Sequence, residues 1–313
     1  MSLDLATAVA MTLVATATPI LIAGLGELVV EKSGVMNIGI DGMMLLGALA
    51  ALVVVQHTGS YLLGALAAAG AGTCAALIFG LLTVLLGANQ IVTGLALALF
   101  GGSFSTLVGQ GYVGNPITLL GPVLPQLTGS LRILFGHSVP VYLGLTAAVL
   151  VWWMLNHTRT GIVLRATGED HDSVHSVGYS VIAVRMAAVA FGGATAGIAG
   201  SCFPFMLTPQ WSVGLTSGRG WIALALVVFA AWRPLRLLAG AYFFAIVLTL
   251  ELYAKAGGVH ALAPEVWAAL PYLMTLMALV LVSLRPSSGT PAPACLGKPF
   301  SPRGRHANEP HQS

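Results

Sequence analysis

Charge is what this 313-residue chain has least of: only 7% of its residues are Asp, Glu, Lys or Arg, against roughly 25% in an ordinary soluble domain. A water-facing surface cannot be assembled from so little, and the bilayer has to serve as solvent for the 57% that is hydrophobic. Lysine occurs only as Lys32, Lys255 and Lys298. None of them stands in a Gly-x-x-x-x-Gly-Lys-Ser/Thr loop, so the chain has no phosphate loop with which to hydrolyse ATP. Cys74, Cys202 and Cys295 are odd in number and lack ligand spacing, which argues against a disulfide framework and a metal site. No His-Glu-x-x-His, no Gly-x-Ser-x-Gly and no pair of carboxylates within one span is found, so neither a catalytic residue nor a cofactor is expected. The formal charge of +3 comes from Lys and Arg scattered singly along the chain, a pattern unlike a nucleic-acid interface.

Long apolar runs are abundant. A hydropathy window of about 19 residues picks out nine, near 8–29, 38–56, 61–86, 90–110, 138–156, 184–206, 220–232, 235–254 and 266–284. The expected fold is therefore an all-α polytopic transmembrane bundle of about nine spans. The first run lacks a basic leader and a small-residue cleavage site and reads as a retained span. The 220–232 run is short against the roughly 20 helical residues a bilayer requires, and Arg233-Pro234 ends it, so a half-helix or re-entrant segment is an alternative there.

Orientation follows from the cations, which cytoplasmic loops retain. With the 157–183 loop inside, Lys32, Arg159, Arg165, Arg185, Arg233, Arg236, Arg285, Lys298, Arg303 and Arg305 fall on or near that side. Arg132, Arg219 and Lys255 fall on the other. This predicts an outside N-terminus and an inside C-terminus. Residues 1–285 form the permease domain, and the Pro-rich polar tail 286–313 has too little apolar surface to fold on.

Two carboxylates, Asp41 and Glu251, stand toward the ends of spans, where a carboxylate can reach interfacial water. That is no obvious ion path, and it favours an energy source outside the chain. In the 157–183 loop, Thr167 and Asp170 have capping-box spacing. Glu169, Asp170 and Asp172 would lie at the positive end of a helix dipole, and Gly178 would stop the helix. The pattern predicts a short polar helix across the cytoplasmic mouth, and on physics alone a connecting role and a docking role stand equally open.

Motif order separates these roles. Gly161, Arg165, Ala166, Gly168, Glu169 and Gly178 resemble the coupling-helix pattern of permeases from ATP-binding-cassette importers, the branch serving nucleosides, simple sugars and branched-chain amino acids. Asp170-His171-Asp172-Ser173-Val174 departs from the Asn-Pro-Glu-Ala-Ala usual there. Glu27-Leu28, then Glu31 through Met44, resembles the first signature of nucleoside-type permeases. Asn89 to Leu95 and Gly214 to Ala225 resemble two more. The resemblance covers roughly residues 15–255. It implies a transport subunit of a bacterial plasma (inner) membrane that works with a separate ATPase, a second permease polypeptide and an extracytoplasmic solute-binding protein. It also implies an ATPase-coupling set of Arg165, Thr167, Gly168, Glu169, Asp170 and Gly178, and a nucleoside or purine-like solute. A simple sugar or riboflavin is the same-class alternative, and an ATP-independent channel or secondary carrier is the rival of another class.

Candidates for the translocation path are Asn37, Asp41, Asn89, Gln90, Arg219 and Trp221. Asn37 and Asp41 share a helical face at a four-residue spacing, either as a constriction or as a cluster pinning the first two spans together. Asn89 and Gln90 begin a span, where interfacial water is an alternative partner. Arg219 and Trp221 read either as an outer gate or as ordinary interface anchors.

Overall fold

The computed structural model describes residues 3–124, 135–256 and 292–300, with isolated helical positions between 266 and 280. Regular structure among the described residues is helical, with no strand. Ten α-helices are described: α1 (Leu3–Lys32), α2 (Ile40–Thr58), α3 (Tyr61–Gly80), α4 (Gln90–Gly109), α5 (Val139–His157), α6 (Arg159–Glu169), α7 (His171–Ser176), α8 (Val181–Cys202), α9 (Arg219–Phe229) and α10 (Pro234–Ala256). Short π-helical segments, Leu81–Leu85 and Phe203–Leu207, extend α3 and α8.

Seven helices among the described residues are long and apolar enough to cross a bilayer: α1 to α5, α8 and α10. Nine spans were expected, and the two remaining runs account for the difference. The 220–232 run is the 11-residue helix α9, about 16 Å long at 1.5 Å per residue and too short to cross. The 266–284 run falls largely outside the described residues.

Small residues set the packing. α8 lies against α1, α2 and α3, and glycines let it approach them. A Cβ added at Gly47 of α2 would stand 2.5 Å from the Gly197 Cα of α8, and Gly72 of α3 and Gly193 of α8 meet backbone to backbone. Close backbone approach of this kind holds helices together where lipid supplies no hydrophobic driving force between them.

The tail expected to lack structure has a folded part. Residues 292–300 form a turn that packs on the α1–α2 loop and on α6. The Cys295 amide donates to the Gly168 carbonyl at 2.8 Å and the Gly297 amide to the Gly34 carbonyl at 3.1 Å. Buried Pro293 and Cys295 face that surface. Hydrogen bonds and a glycine-lined seat supply what the tail's composition does not. The rest of 286–313 lies outside the described residues.

Candidate functional site

The chain between α1 and α2 does not stay at the helix ends. After Lys32, Gly34 takes a left-handed conformation (φ 88°), and residues 33–39 turn back alongside α1. The Asn37 amide donates to Glu27 Oε1 at 3.1 Å, one and a half turns up the helix, and Asn37 Oδ1 accepts from the Gly39 amide at 3.1 Å. Because the loop doubles back, α2 starts part-way along its neighbours. Gly42 lies against Ala98 and Gly101, halfway along α4; a Cβ on it would stand 2.7 Å from the Ala98 Cα. Asp41 is therefore mid-bundle, not at an interface as its place near the end of an apolar run suggested.

The third motif arrives from the opposite direction. Ser217 and Gly218 hold left-handed conformations (φ 49° and 72°), and α9 begins directly after them. The Gly220 amide donates to Asp41 Oδ1 at 3.0 Å. A helix N-terminus leaves unsatisfied amides with partial positive charge, and a carboxylate from α2 meets one of them here. The second motif joins on the far side: Gln90 is buried, its Oε1 accepts from the Met36 amide at 2.8 Å, and a Cβ on Gly94 would lie 2.9 Å from the Ile38 amide nitrogen. Three segments separated by up to 180 residues thus meet around Asn37 and Asp41.

An open groove of about 560 Å³ leads away from this junction between α2, α4 and the start of α9, and Asp41, Ser103, Thr106, Gln110 and Trp221 supply much of its polar and aromatic wall. Arg219 faces another way. Its guanidinium lies 5.1 Å from the Phe203 ring centroid, a cation–π arrangement, and it borders a second cavity of about 500 Å³ with Thr12, Thr16, His137 and Thr208. The Asp41–Gly220 bond sets the start of α9 beside the middle of α4, with Trp221 on the groove and Arg219 on the other cavity. Asn89 stands apart. It is exposed, and its Oδ1 caps α4 by accepting from the Ile91 and Val92 amides at 3.0 and 3.1 Å.

Two residues of the junction belong to the first signature but were not among the path candidates. Glu27 and Glu31 are four apart on α1 and buried, and Glu31 Oε2 accepts from Trp232 Nε1 at 2.5 Å. The absence of a carboxylate pair within one span is thereby corrected, because α1 runs on to Lys32 where the hydropathy window stopped at 29. The four-residue spacing is the signal that could have found them.

At the other functional candidate, the capping assignment changes. α6 runs through Thr167, whose buried hydroxyl donates back to the Val163 carbonyl at 2.8 Å. Asp170 is the N-cap of α7: its Oδ1 accepts from the Asp172 and Ser173 amides, each at 3.1 Å, and Oδ2 from the Ser173 hydroxyl. These bonds to Ser173 hold the Asp170 carboxyl below the usual carboxylate range. Gly178 (φ 94°) follows α7 in the left-handed form that favours glycine. Gly168 packs so closely on the Lys32 carbonyl that no side chain fits, and Arg165 and Glu169 complete the segment. Arg185, buried on α8, joins the parts: Nε donates to the Ser33 carbonyl at 3.3 Å, Nη1 donates to the Lys298 carbonyl at 3.0 Å, and Nη2 lies 3.4 Å from His171 Nδ1. No cluster able to hold a metal ion exists among the described residues.

Known proteins share this architecture in sequence. Residues 9–279 match the family model described as the branched-chain amino acid transport system permease component. A protein of Haloferax volcanii, provisionally named a glucose ABC transporter permease, is 36% identical over 300 residues, spanning 88% of this chain and 91% of the relative. A nucleoside ABC transporter permease of Lactococcus lactis is 27% identical over 284 residues, and a guanosine ABC transporter permease of Bacillus subtilis is 28% identical over 285, each spanning 84% of this chain and 88% of the relative. With seven helices among the described residues long and apolar enough to cross a membrane, these matches place the chain as a multi-pass transport component: it belongs to the permease family of ATP-binding-cassette transporters that the branched-chain amino acid permease component typifies.

Proposed function

We propose that this permease carries a small polar solute, of the nucleoside or purine class, across the plasma membrane by alternating access. The observation that carries the reading is the meeting of three motifs at Asp41 and Gly220, beside a groove that offers a carboxylate, two hydroxyls, an amide and the Trp221 indole. Polar groups bind ribose hydroxyls and base edges, and an aromatic face stacks on a base. A broken helix whose N-terminus stops mid-bundle is a recurrent way of building such a site inside a membrane. The 36% identity to a permease named for glucose supports a second reading, a simple sugar, which the same hydroxyl-binding wall accommodates.

Energy comes from a separate ATPase that docks on the coupling segment through Arg165, Glu169, Asp170 and Gly178, while buried Thr167 and Gly168 hold that segment against the bundle. A second permease polypeptide packs on the face of α4 that leaves Val92, Leu99, Phe100 and Leu107 exposed, an extracytoplasmic binding protein delivers the solute, the N-terminus lies outside and the tail inside. Reconstitution with the ATPase and binding protein, followed by uptake of labelled guanosine and glucose in parallel, tests both readings. Saturable ATP-dependent uptake of guanosine, competed by adenosine and not by glucose, is expected. Uptake that persists without ATP and collapses with an ion gradient overturns the importer reading.

A further inference from the structure

Cations that are scattered in sequence are gathered in space. Lys32 at the end of α1, Arg165 of α6, and Arg233 and Arg236 around the start of α10 line one pocket of about 480 Å³, together with Trp152 and Trp232, and no Asp or Glu is among its lining residues. Glu169 acts on Lys32 from outside that lining, which leaves three cations facing the pocket without a carboxylate in its wall. The turn that delivers Arg233 is held against its own preference. Ala231 and Trp232 both sit at positive φ (49° and 53°), a conformation costly for residues with a side chain. The Trp232 indole bond to Glu31 and its amide bond to the Val227 carbonyl at 3.1 Å fix it there.

We infer that this pocket binds the phosphate-bearing headgroup of an anionic phospholipid. It lies at the ends of spanning helices, on the side where Lys and Arg concentrate, and its apolar wall of Leu155, Leu235 and the two indoles matches acyl chains below a headgroup. Tryptophans belong at that depth, and the cytoplasmic leaflet attracts basic groups. Arginine suits the role because its planar guanidinium can bind phosphate oxygens in pairs. The pocket touches α1, α6 and the α9–α10 turn, so a bound lipid would brace the coupling segment against the helix carrying Glu31 and the turn carrying Trp232.

Purified full-length permease in zwitterionic detergent, mixed with equal phosphatidylglycerol and phosphatidylcholine, tests this by native mass spectrometry of retained lipid. The wild type should keep phosphatidylglycerol selectively. Each arginine removed should weaken retention about five-fold, so R233Q/R236Q should lose roughly 25-fold, while R233K/R236K, which keeps the charge, should retain most of it. Millimolar inorganic phosphate should leave the lipid in place. Equal retention of the two lipids, unchanged retention in R233Q/R236Q, or release of the lipid by inorganic phosphate would overturn the inference, the last pointing to a free anion as the true occupant.

Discussion

Asp41 and Gly220, 179 residues apart in sequence, are joined by a 3.0 Å hydrogen bond from the Gly220 amide to the Asp41 carboxylate. The bond ties the start of α2 to the start of α9 in the middle of the bundle. Neither helix end is placed by hydropathy alone. α2 starts there because residues 33–39 fold back onto Glu27, and α9 starts there because the chain before it turns through Ser217 and Gly218. One junction therefore fixes two chain reversals and sets one wall of the groove.

Substitution at either partner should disable transport by different routes. In Gly220→Ala the new Cβ would stand 2.6 Å from the Asp41 Cα, a backbone contact that cannot yield cheaply. Asp41→Ala removes the acceptor and leaves a largely buried amide unsatisfied, a loss of about 1–3 kcal/mol, whereas Asp41→Asn keeps an acceptor oxygen and should be milder. Uptake per membrane-inserted protein should fall in the order wild type, Asp41→Asn, Asp41→Ala. Equal uptake in the last two would show that the bond does not matter.

Trp232→Phe should lower thermal stability in detergent. It preserves most of the buried ring but deprives Glu31 Oε2 of its donor, and stranding a buried acceptor costs about 1–3 kcal/mol. Combining it with Glu31→Leu, which removes the acceptor as well, should recover part of the loss. A melting temperature within error of wild type for Trp232→Phe would refute the contribution.

Much of this was legible because lipid enforces simple rules. Composition gave the bilayer, and span length gave six of the seven crossing helices nearly to their ends. The motif around Asn37 and Asp41 drew attention to residues that the fold does unite with Gln90 and Trp221. What stayed hidden depends on tertiary geometry. Hydropathy records an apolar run and not where its helix starts along its neighbours, so Asp41 reads as lying at a span end. The α1 helix continued past the point where charge ended the apolar window, hiding the Glu27–Glu31 pair. Thr167 and Asp170 both suit a cap, and local spacing could not tell which one the preceding helix would absorb. Residues 292–300 are few and interrupted by Pro293 and Pro299, and the seat made by Gly34, Gly168 and Arg185 gives them a fold.

The coupling segment makes its own prediction. α7 turns His171 and Val174 inward and leaves Asp172, Ser173, Ser176 and Val177 exposed, so Glu169→Lys with Asp170→Lys changes the charge of a docking face and also removes the α7 cap. Uptake should fall about ten-fold or more while membrane abundance is unchanged, since misplaced charge at an interface is strongly unfavourable. Asp170→Asn retains the cap, an Asn being as good there, and should keep most activity. Pull-down of the ATPase should follow uptake across the series, and normal uptake in the double reversal would dismiss the docking role.

The seat of residues 292–300 should loosen in acid. Phe300 packs edge-on between His171 and His175, at 5.2 and 5.4 Å. Burial, and after it the Arg185 guanidinium, push His171 below its ordinary value of 6.5, with Lys298 acting in the same direction and Asp172 and Asp170 opposing. The folded state thus favours neutral imidazole. Near and below pH 6.5 the unfolded form binds more protons, so the stabilisation is complete above that pH and declines as pH falls toward and through the lowered folded value. Hydrogen exchange at the Cys295 and Gly297 amides, corrected for intrinsic rates, should therefore be faster at about pH 5.5 than at 7.5. His171→Gln, which cannot titrate, should flatten the difference. A pH dependence that survives in that variant would assign the effect to another group.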